Sequence, residues 1–406
     1  MPSPPLFPFR SVVLGAFLPT LVLEIGIGAM LPVVAVTATD RGASLTVAGL
    51  VAALLPLGKI AFDLPAGALA QRLGDRTAML LAGGVAVVAF TTVALTSALW
   101  GLAAGVLALG ASNAVFNLAR QAYLTEITPP LRRARVLSTL AGVHRIGLFL
   151  GPFAGAAVIA ATSLQGAFWL GTGAALVAVA VLVAVRPEDR ADGEGARRGA
   201  GRAPRVSIAR VAREHRQLFA TLGVAILLVS AVRGARQTVI PLWGEHLGFD
   251  AEVTSLIFGV SGALDMLLFY PAGKVMDRFG RLWVAVPSML TMAAGLAALP
   301  FAHTVAGVTV VAAVLGVGNG MGSGIVMTLG ADVAPAEVRP TFLSVWRLFQ
   351  DTGDAVGPLL LSAGAALGSL AAGVWATATL GAASAGALAR WVPRYSPLAN
   401  LVRRRR

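Results

Sequence analysis

The chain contains no cysteine, and only 13% of its residues are charged, about half the share found in a typical soluble domain. Without cysteine, disulfide bonds and thiolate metal sites are excluded. The four histidines are scattered without an H-E-x-x-H motif, and neither Lys59 nor Lys274 lies in the glycine-rich sequence that binds ATP phosphates. These absences predict a protein that is not an enzyme, does not hydrolyse ATP and needs no metal or other cofactor.

Apolar residues make up 57% of the chain, and the mean hydropathy is +0.79. A helix needs roughly 20 consecutive apolar residues to cross a bilayer core of about 30 Å. About twelve stretches meet this length, near 11–36, 45–70, 76–98, 100–124, 134–160, 164–186, 216–241, 251–275, 282–302, 305–331, 340–366 and 368–390. The predicted class is an all-α membrane protein with about 12 transmembrane helices.

The sequence repeats itself at a constant offset. Pro65-Ala66-Gly67 recurs 206 residues later as Pro271-Ala272-Gly273, and Gly147-x-x-x-Gly151-Pro152 recurs at the same offset as Gly353-x-x-x-Gly357-Pro358. Repeats of hydrophobic segments are a common way of building secondary transporters. We therefore predict two pseudo-symmetric six-helix bundles. The expected domains are residues 1–186, a cytoplasmic linker at 187–215 and residues 216–406.

The net charge of +13 is distributed unevenly. With the N-terminus placed inside the cell, most arginines fall on the cytoplasmic side, including the basic loop at 186–216. The opposite side holds few charges, such as Asp40, Arg41 and Glu245. This positive-inside pattern predicts a multi-pass protein of the cell (inner or plasma) membrane with both termini in the cytoplasm. The terminal run at 403–406 is expected to contact anionic lipid headgroups rather than nucleic acid.

Two loops carry a motif with the pattern G-x-x-x-D-R-x-G-R, and through them the chain resembles the major facilitator superfamily. The resemblance covers everything except the linker and the extreme termini, and it implies the major facilitator fold, alternating access and a monomer. The second copy fits fully, whereas Gln71 replaces the acid in the first, so the charged latch that this acid forms in the family is not expected here. The loop residues are Gly67, Gln71, Arg72 and Gly74, then Gly273, Asp277, Arg278, Gly280 and Arg281.

The fifth helix is similar to a motif of drug–proton antiporters in that family. Its residues are Gly147, Gly151, Pro152 and Gly155, echoed in the eleventh helix by Gly353, Gly357 and Pro358. Proline bends a helix because it removes a hydrogen bond. The resemblance favours proton-coupled efflux (antiport) of small organic molecules such as drugs or metabolites. The alternative is a proton-coupled uptake symporter for a small nutrient, and Arg120, Arg233 and Arg236 would suit an anionic one.

The repeat predicts how the charged residues inside the spanning helices pair. An ionisable group in a membrane needs a partner or a function, and in the resembling family helix 2 meets helix 11 while helix 5 meets helix 8. Pseudo-symmetry then predicts three ion pairs between the bundles: Lys59–Asp351, Asp63–Arg347 and Arg145–Asp265. They act either as static contacts or as latches that open when the bundles move.

Glu24 lies near the middle of the first helix, with no evident partner in its own half. An isolated carboxyl in a low-dielectric medium binds protons readily, so Glu24 is the first candidate for proton coupling. Asp354 and Asp265 are further candidates, and His144 is interpreted as an interfacial hydrogen bonder.

Polar faces on helices 4, 7 and 10 predict the substrate cavity, although hydrogen bonding between helices explains them about as well. The candidate residues are Asn113, Asn117, Gln121, Arg233, Arg236, Asn319 and Ser323. The expected partners are a small-molecule substrate, protons and the lipid bilayer.

Overall fold

A computed structural model describes residues 12–128, 130–184, 208–396 and 398–399. Most of the predicted linker, 187–207, lies outside this description, and only the short helix Ile208–Glu214 follows it. The long helices in chain order are α1 Val13–Asp40, α2 Leu45–Leu73, α3 Asp75–Leu95, α4 Leu99–Ile127, α5 Pro130–Ala161, α6 Gly166–Ala184, α7 Arg216–His246, α8 Ala251–Phe279, α9 Leu282–Phe301, α10 Val305–Val333, α11 Arg339–Ala366 and α12 Leu370–Tyr395.

Eleven of these helices are long and apolar enough to cross a membrane. The exception is α11, which has 28 residues but carries Arg347, Asp351 and Asp354 in its middle. Its length is sufficient for a bilayer of about 30 Å, so its low hydropathy reflects a charged face rather than a short helix. The prediction of an all-α membrane protein is confirmed.

The two sets of six helices pack in the same pattern. Helix α1 packs against α5, α2 against α4 and α3 against α6, and in the second set α7 packs against α11, α8 against α10 and α9 against α12. The offset of 206 residues holds at the level of single contacts. A Cβ atom on Gly110 would overlap the carbonyl oxygen of Leu55, and one on Gly316 would overlap that of Ser261.

The glycines of helices α5 and α11 form packing seams within each set. A Cβ atom on Gly147 would lie 2.6 Å from Cβ of Glu24, and one on Gly151 would lie 2.6 Å from Cα of Gly28. Gly353 and Gly357 make the equivalent approaches to α7. Both α5 and α11 continue through their prolines as single helices. The structure therefore places this motif against α1 and α7 rather than at the interface between the two sets, because only glycine allows such close backbone contact.

Replacing Gly151 by valine is expected to lower the stability of the folded protein by about 1–3 kcal/mol, because the added side chain would push α5 away from α1. The matched control is Gly142→Val on the same helix, where an added Cβ meets no atom within 4 Å. Thermal unfolding of both purified variants in detergent would measure the difference. Equal melting temperatures would show that the α1–α5 seam tolerates expansion.

The two sets contact each other along α2 and α11 and along α5 and α8, as the family resemblance implied. A further contact joins the two sets at one end of the molecule. There the segment Leu31–Asp40 of α1 packs against α7, and Gly49 of α2 abuts the Ser362 hydroxyl of α11. The molecule is therefore closed at the end that carries Asp40 and His246.

The two loop motifs end their helices with a left-handed glycine. Gly74 follows α2 with φ +84° and Gly280 follows α8 with φ +109°, a conformation that L side chains rarely adopt. Gly67 lies within α2, but its surroundings and the side chain of Gln71 lie outside the described part of the chain. In the second motif Asp277 is 80% exposed and lies 3.7 Å from Arg281 on the next turn, so it makes a local pair rather than a contact across the protein.

Arg281 connects three segments at the end of the molecule where that loop lies. Its guanidinium donates to both carboxylate oxygens of Asp332 in α10, at 2.9 and 3.2 Å. Ser396, which follows α12, donates to the same carboxylate at 3.1 Å. The backbone nitrogen of Arg281 donates to the carbonyl of Leu398 at 3.2 Å. The second loop motif is thereby fixed to the ends of α10 and α12.

Candidate functional site

A cavity lies between the two sets of helices, lined by α1, α2, α4, α7 and α11. Its volume is about 70 Å³, against roughly 300–1,000 Å³ for a pocket that holds a drug-sized ligand. In this conformation it has room for water but not for a substrate of that size. The polar and charged side chains along it are Lys59, Gln237, Thr238, Asp351 and Asp354.

The predicted pair between Lys59 and Asp351 is not formed, although both side chains line the cavity. Asp351 instead lies 3.5 Å from Arg347, one turn away on α11. Arg347 and Asp351 are four residues apart on one helix, so they can pair whatever the relative position of the two sets. The electrostatic neighbours of Lys59 are Asp354 and Glu24.

The guanidinium of Arg347 links α11 to α2. Its Nη2 atom lies 3.9 Å from Oδ1 of Asp63, so the structure brings together the pair that pseudo-symmetry predicted. Because Arg347 also contacts Asp351, one cation is shared by two carboxylates from different sets. The Arg347 side chain is 47% exposed, and such an exposed pair contributes little stability.

The predicted pair between Arg145 and Asp265 is also not formed. Arg145 donates to the hydroxyl of Ser323 and stacks over the ring of Phe269, 4.2 Å from its centroid. Asp265 is occupied by α7 and α10, because Arg236 lies 3.5 Å away and the amide of Asn319 donates at 2.6 Å. These neighbours from its own set contact Oδ2 of Asp265, and Arg145 makes no salt bridge with either oxygen.

Glu24 is not isolated, contrary to the sequence-based expectation. Its side chain is 1% exposed, and Oε1 lies 2.8 Å from Nδ1 of His144 and 3.9 Å from Nη1 of Arg120. Both partners belong to its own set, on α5 and α4. Arg120 also donates to Thr20 of α1 at 2.9 Å. His144, interpreted from the sequence as an interfacial hydrogen bonder, makes this polar contact with Glu24 between α5 and α1.

The residues predicted to form the substrate cavity do not line the observed one. Asn117 donates to Asn113 at 2.5 Å within α4, and Gln121 is exposed. The other candidates lie in the second set. Arg236 and Asn319 contact Asp265, Arg233 is its electrostatic neighbour, and Ser323 accepts the hydrogen bond from Arg145. The bond between the two asparagines lies within α4, so it supports neither a cavity-lining role nor hydrogen bonding between helices.

Two polar residues of the cavity were missed from the sequence, namely Gln237 and Thr238 of α7. Gln237 lies one helical turn after Arg233, which was a candidate. Its four-residue spacing from Arg233 could have indicated that Gln237 shares a face of α7 with that candidate. Which of the two residues faces the cavity depends on the rotation of α7, and packing sets that rotation.

Comparison with known proteins places the chain in a family of transporters. The model of the Major Facilitator Superfamily matches residues 16–358 and, in a second match, 222–402. The chain is similar to the uncharacterised MFS-type transporter YddS of Bacillus subtilis, at 27% identity over 73% of this chain and 71% of that one. It is also similar to the multidrug resistance protein MdtH of Edwardsiella ictaluri, at 22% identity over 83% of this chain and 82% of the relative.

Solved structures show the same fold at low sequence identity. A POT family transporter, crystallised with a thioalcohol-conjugated peptide, matches with a TM-score of 0.76 and 13% identity, covering 95% of this chain and 96% of that one. A D-xylose-proton symporter matches with a TM-score of 0.72 and 15% identity, covering 96% and 98%. These proteins are transporters rather than enzymes. On the family match and the shared fold, this chain belongs to the major facilitator superfamily and is a multi-pass membrane transporter.

Proposed function

We propose that the protein is a proton-coupled exporter of small organic molecules that works by alternating access. The observation that carries this proposal is the position of Asp354. Its carboxyl lines the cavity between the two sets and makes no salt bridge with any described residue, although Lys59 and Arg233 are its electrostatic neighbours. A carboxyl reached by water inside the membrane is suited to take up and release a proton.

Alternating access requires contacts between the sets that can open and close. The pairing of Arg347 with Asp63 and the bond from Arg145 to Ser323 both join one set to the other. The closed end at Asp40 and His246 provides one gate. We propose that these contacts are latches, which rocking of the two bundles (residues 1–186 and 216–406) would break in turn.

Export is favoured over uptake by two observations. One is the similarity to a multidrug resistance protein, and the other is the glycine-proline motif of α5. The cavity itself holds two carboxylates, Asp351 and Asp354, against one lysine. A carboxylate in this cavity can carry the proton whose inward movement drives export.

Uptake by symport is the second candidate, favoured by the arginines around Asp265. Arg145, Arg233 and Arg236 provide positive charge for an anionic nutrient, and an anion that binds together with a proton is carried in the same direction. Both candidates use Asp354 as the carboxyl that carries the proton.

The proposed location is the cell membrane, with both termini in the cytoplasm and the protein acting as a monomer. The arginine distribution supports this orientation. In this orientation, the closed end at Asp40 and His246 faces the outside of the cell. A reporter fused to the C-terminus would test the orientation.

We expect cells that lack their own efflux pumps to accumulate less of at least one dye or antibiotic when they express this chain. A protonophore should abolish the difference, because it collapses the driving force. Intracellular dye fluorescence in expressing and empty-vector cells would measure it. Higher accumulation in expressing cells would instead establish uptake. A difference that survives the protonophore would contradict proton coupling.

A further inference from the structure

Three guanidinium groups converge between α5, α7, α8 and α10, outside the cavity described above. Arg233 has Arg145, Arg236 and Asp265 as electrostatic neighbours. Arg236, 7% exposed, donates to Ser261 at 3.0 Å and lies 3.5 Å from Asp265. One carboxylate thus faces three cations, and Asp354, the other acid near Arg233, is shared with Lys59.

Several donors of this cluster are buried without a partner. Nε and Nη2 of Arg233 and Nε of Arg236 are inaccessible to water and make no hydrogen bond. A buried charged donor left unpaired is costly, and proteins nearly always satisfy such groups. Oδ1 of Asp265 also lacks a partner, but one carboxylate oxygen has only two lone pairs, so rearrangement within the cluster could not satisfy all three donors. The cluster therefore has a surplus of both positive charge and hydrogen-bond donors.

A break in α10 lies beside these donors. The helix is interrupted at 322–324, and its second segment, Ile325–Val333, begins after Gly324 at φ +84° without a side-chain cap. Arg233 approaches the break, because a Cβ atom on Gly322 would lie 3.0 Å from Nη2 of Arg233. Ser323, 5% exposed, receives the hydrogen bond from Arg145 at the same break. A helix N-terminus adds partial positive charge to the guanidinium groups.

We propose that this cluster binds the carboxylate or phosphate group of the transported molecule, which makes the substrate an organic anion. The inference rests on the proposed transport function, and it narrows the substrate class whether the direction of transport is export or uptake. Arg145 comes from the first set of helices, whereas Arg233 and Arg236 come from the second. The site is complete only while α5 lies against α8 and α10, so a bound anion stabilises this arrangement of the two sets.

The test is ligand-dependent thermal stabilisation of the purified full chain in detergent, measured without any ion gradient. Benzoate and phenyl phosphate are the anionic probes, and benzamide is the neutral probe of similar shape. At least one anionic probe is expected to raise the melting temperature in a saturable manner, and benzamide is not. Arg233→Gln should weaken the apparent affinity for that probe about tenfold or more, since charge-assisted hydrogen bonds to the anion are lost.

Arg145→Gln provides a second variant in case Arg233→Gln does not fold, and the same weakening is expected. Arg210→Gln is the control, because Arg210 lies exposed on the short helix before α7 and should leave the response unchanged. Chloride and inorganic phosphate are tested separately. Full stabilisation by either alone would identify a resident inorganic anion and overturn the substrate assignment.

Equal stabilisation by benzoate, phenyl phosphate and benzamide, or none by the anions, would overturn the anion site itself. Because no gradient is present, such a failure leaves the proton-coupled export proposal standing. Conversely, cells that show no gradient-driven transport would leave a measured anion affinity intact.

Discussion

Replacing Asp354 by asparagine is expected to abolish transport driven by a proton gradient while leaving substrate exchange in place. Asparagine keeps the shape of the side chain and its place in the cavity but cannot bind or release a proton. Counterflow, in which labelled substrate outside exchanges with unlabelled substrate inside, requires no net proton movement. We expect at least a tenfold fall in gradient-driven transport into vesicles and counterflow near the wild-type rate.

This pair of measurements separates coupling from folding. A variant that fails to fold loses both activities, and a residue that binds only the substrate weakens both when it is changed. Glu214→Gln is the matched control, since Glu214 is a carboxylate on the short helix outside the spanning region, paired with Arg210 at 2.7 Å. Gradient-driven transport at the wild-type rate in Asp354→Asn would assign the proton to another group, first Asp351 in the same cavity.

The fold was predictable because its signals are long and redundant. Each spanning helix is marked by some twenty apolar residues, and the repeat fixes the equivalence of the halves without an alignment of relatives. The offset of 206 residues carries the contact between Gly110 and Leu55 onto the contact between Gly316 and Ser261. Close helix packing of this kind depends on small residues that are visible in the sequence.

The partners of the charged groups were less predictable, because they depend on helix rotation and side-chain reach. The repeat correctly brings α2 beside α11 and α5 beside α8. It does not reveal that Arg347 competes for Asp351 from the next turn, or that Asn319 and Arg236 occupy Asp265. A displacement of one turn, about 5.4 Å, is enough to exchange one ionic partner for another.

Glu24 illustrates the same limit within one half. His144 and Arg120 are more than ninety residues away in sequence, and they reach Glu24 because α4 and α5 both lie near α1. The glycine seam explains the proximity of His144, since Gly147 allows the α5 backbone to approach the Glu24 side chain closely. The sequence showed the acid, the histidine and the glycine, but not that they form one cluster.

Replacing Glu24 by glutamine is expected to destabilise the protein by about 3–5 kcal/mol, because Arg120 would remain buried with its charge uncompensated. Arg120 is 7% exposed, and Thr20 would be its remaining described hydrogen-bond partner. The loss should appear as a lower melting temperature of the purified variant. Adding Arg120→Met should restore much of the stability, since the double variant buries no unpaired charge and fills a similar volume.

The same variant decides between two roles for Glu24. If its main role is to balance Arg120 and His144, stability falls in Glu24→Gln and recovers in the double variant. If Glu24 instead carries the transported proton, as its position in α1 first indicated, then glutamine mimics its protonated form. The single variant would then be as stable as the wild type, would keep counterflow and would lose gradient-driven transport. That result would assign to Glu24 the role proposed here for Asp354, and Asp354→Asn would then retain coupling.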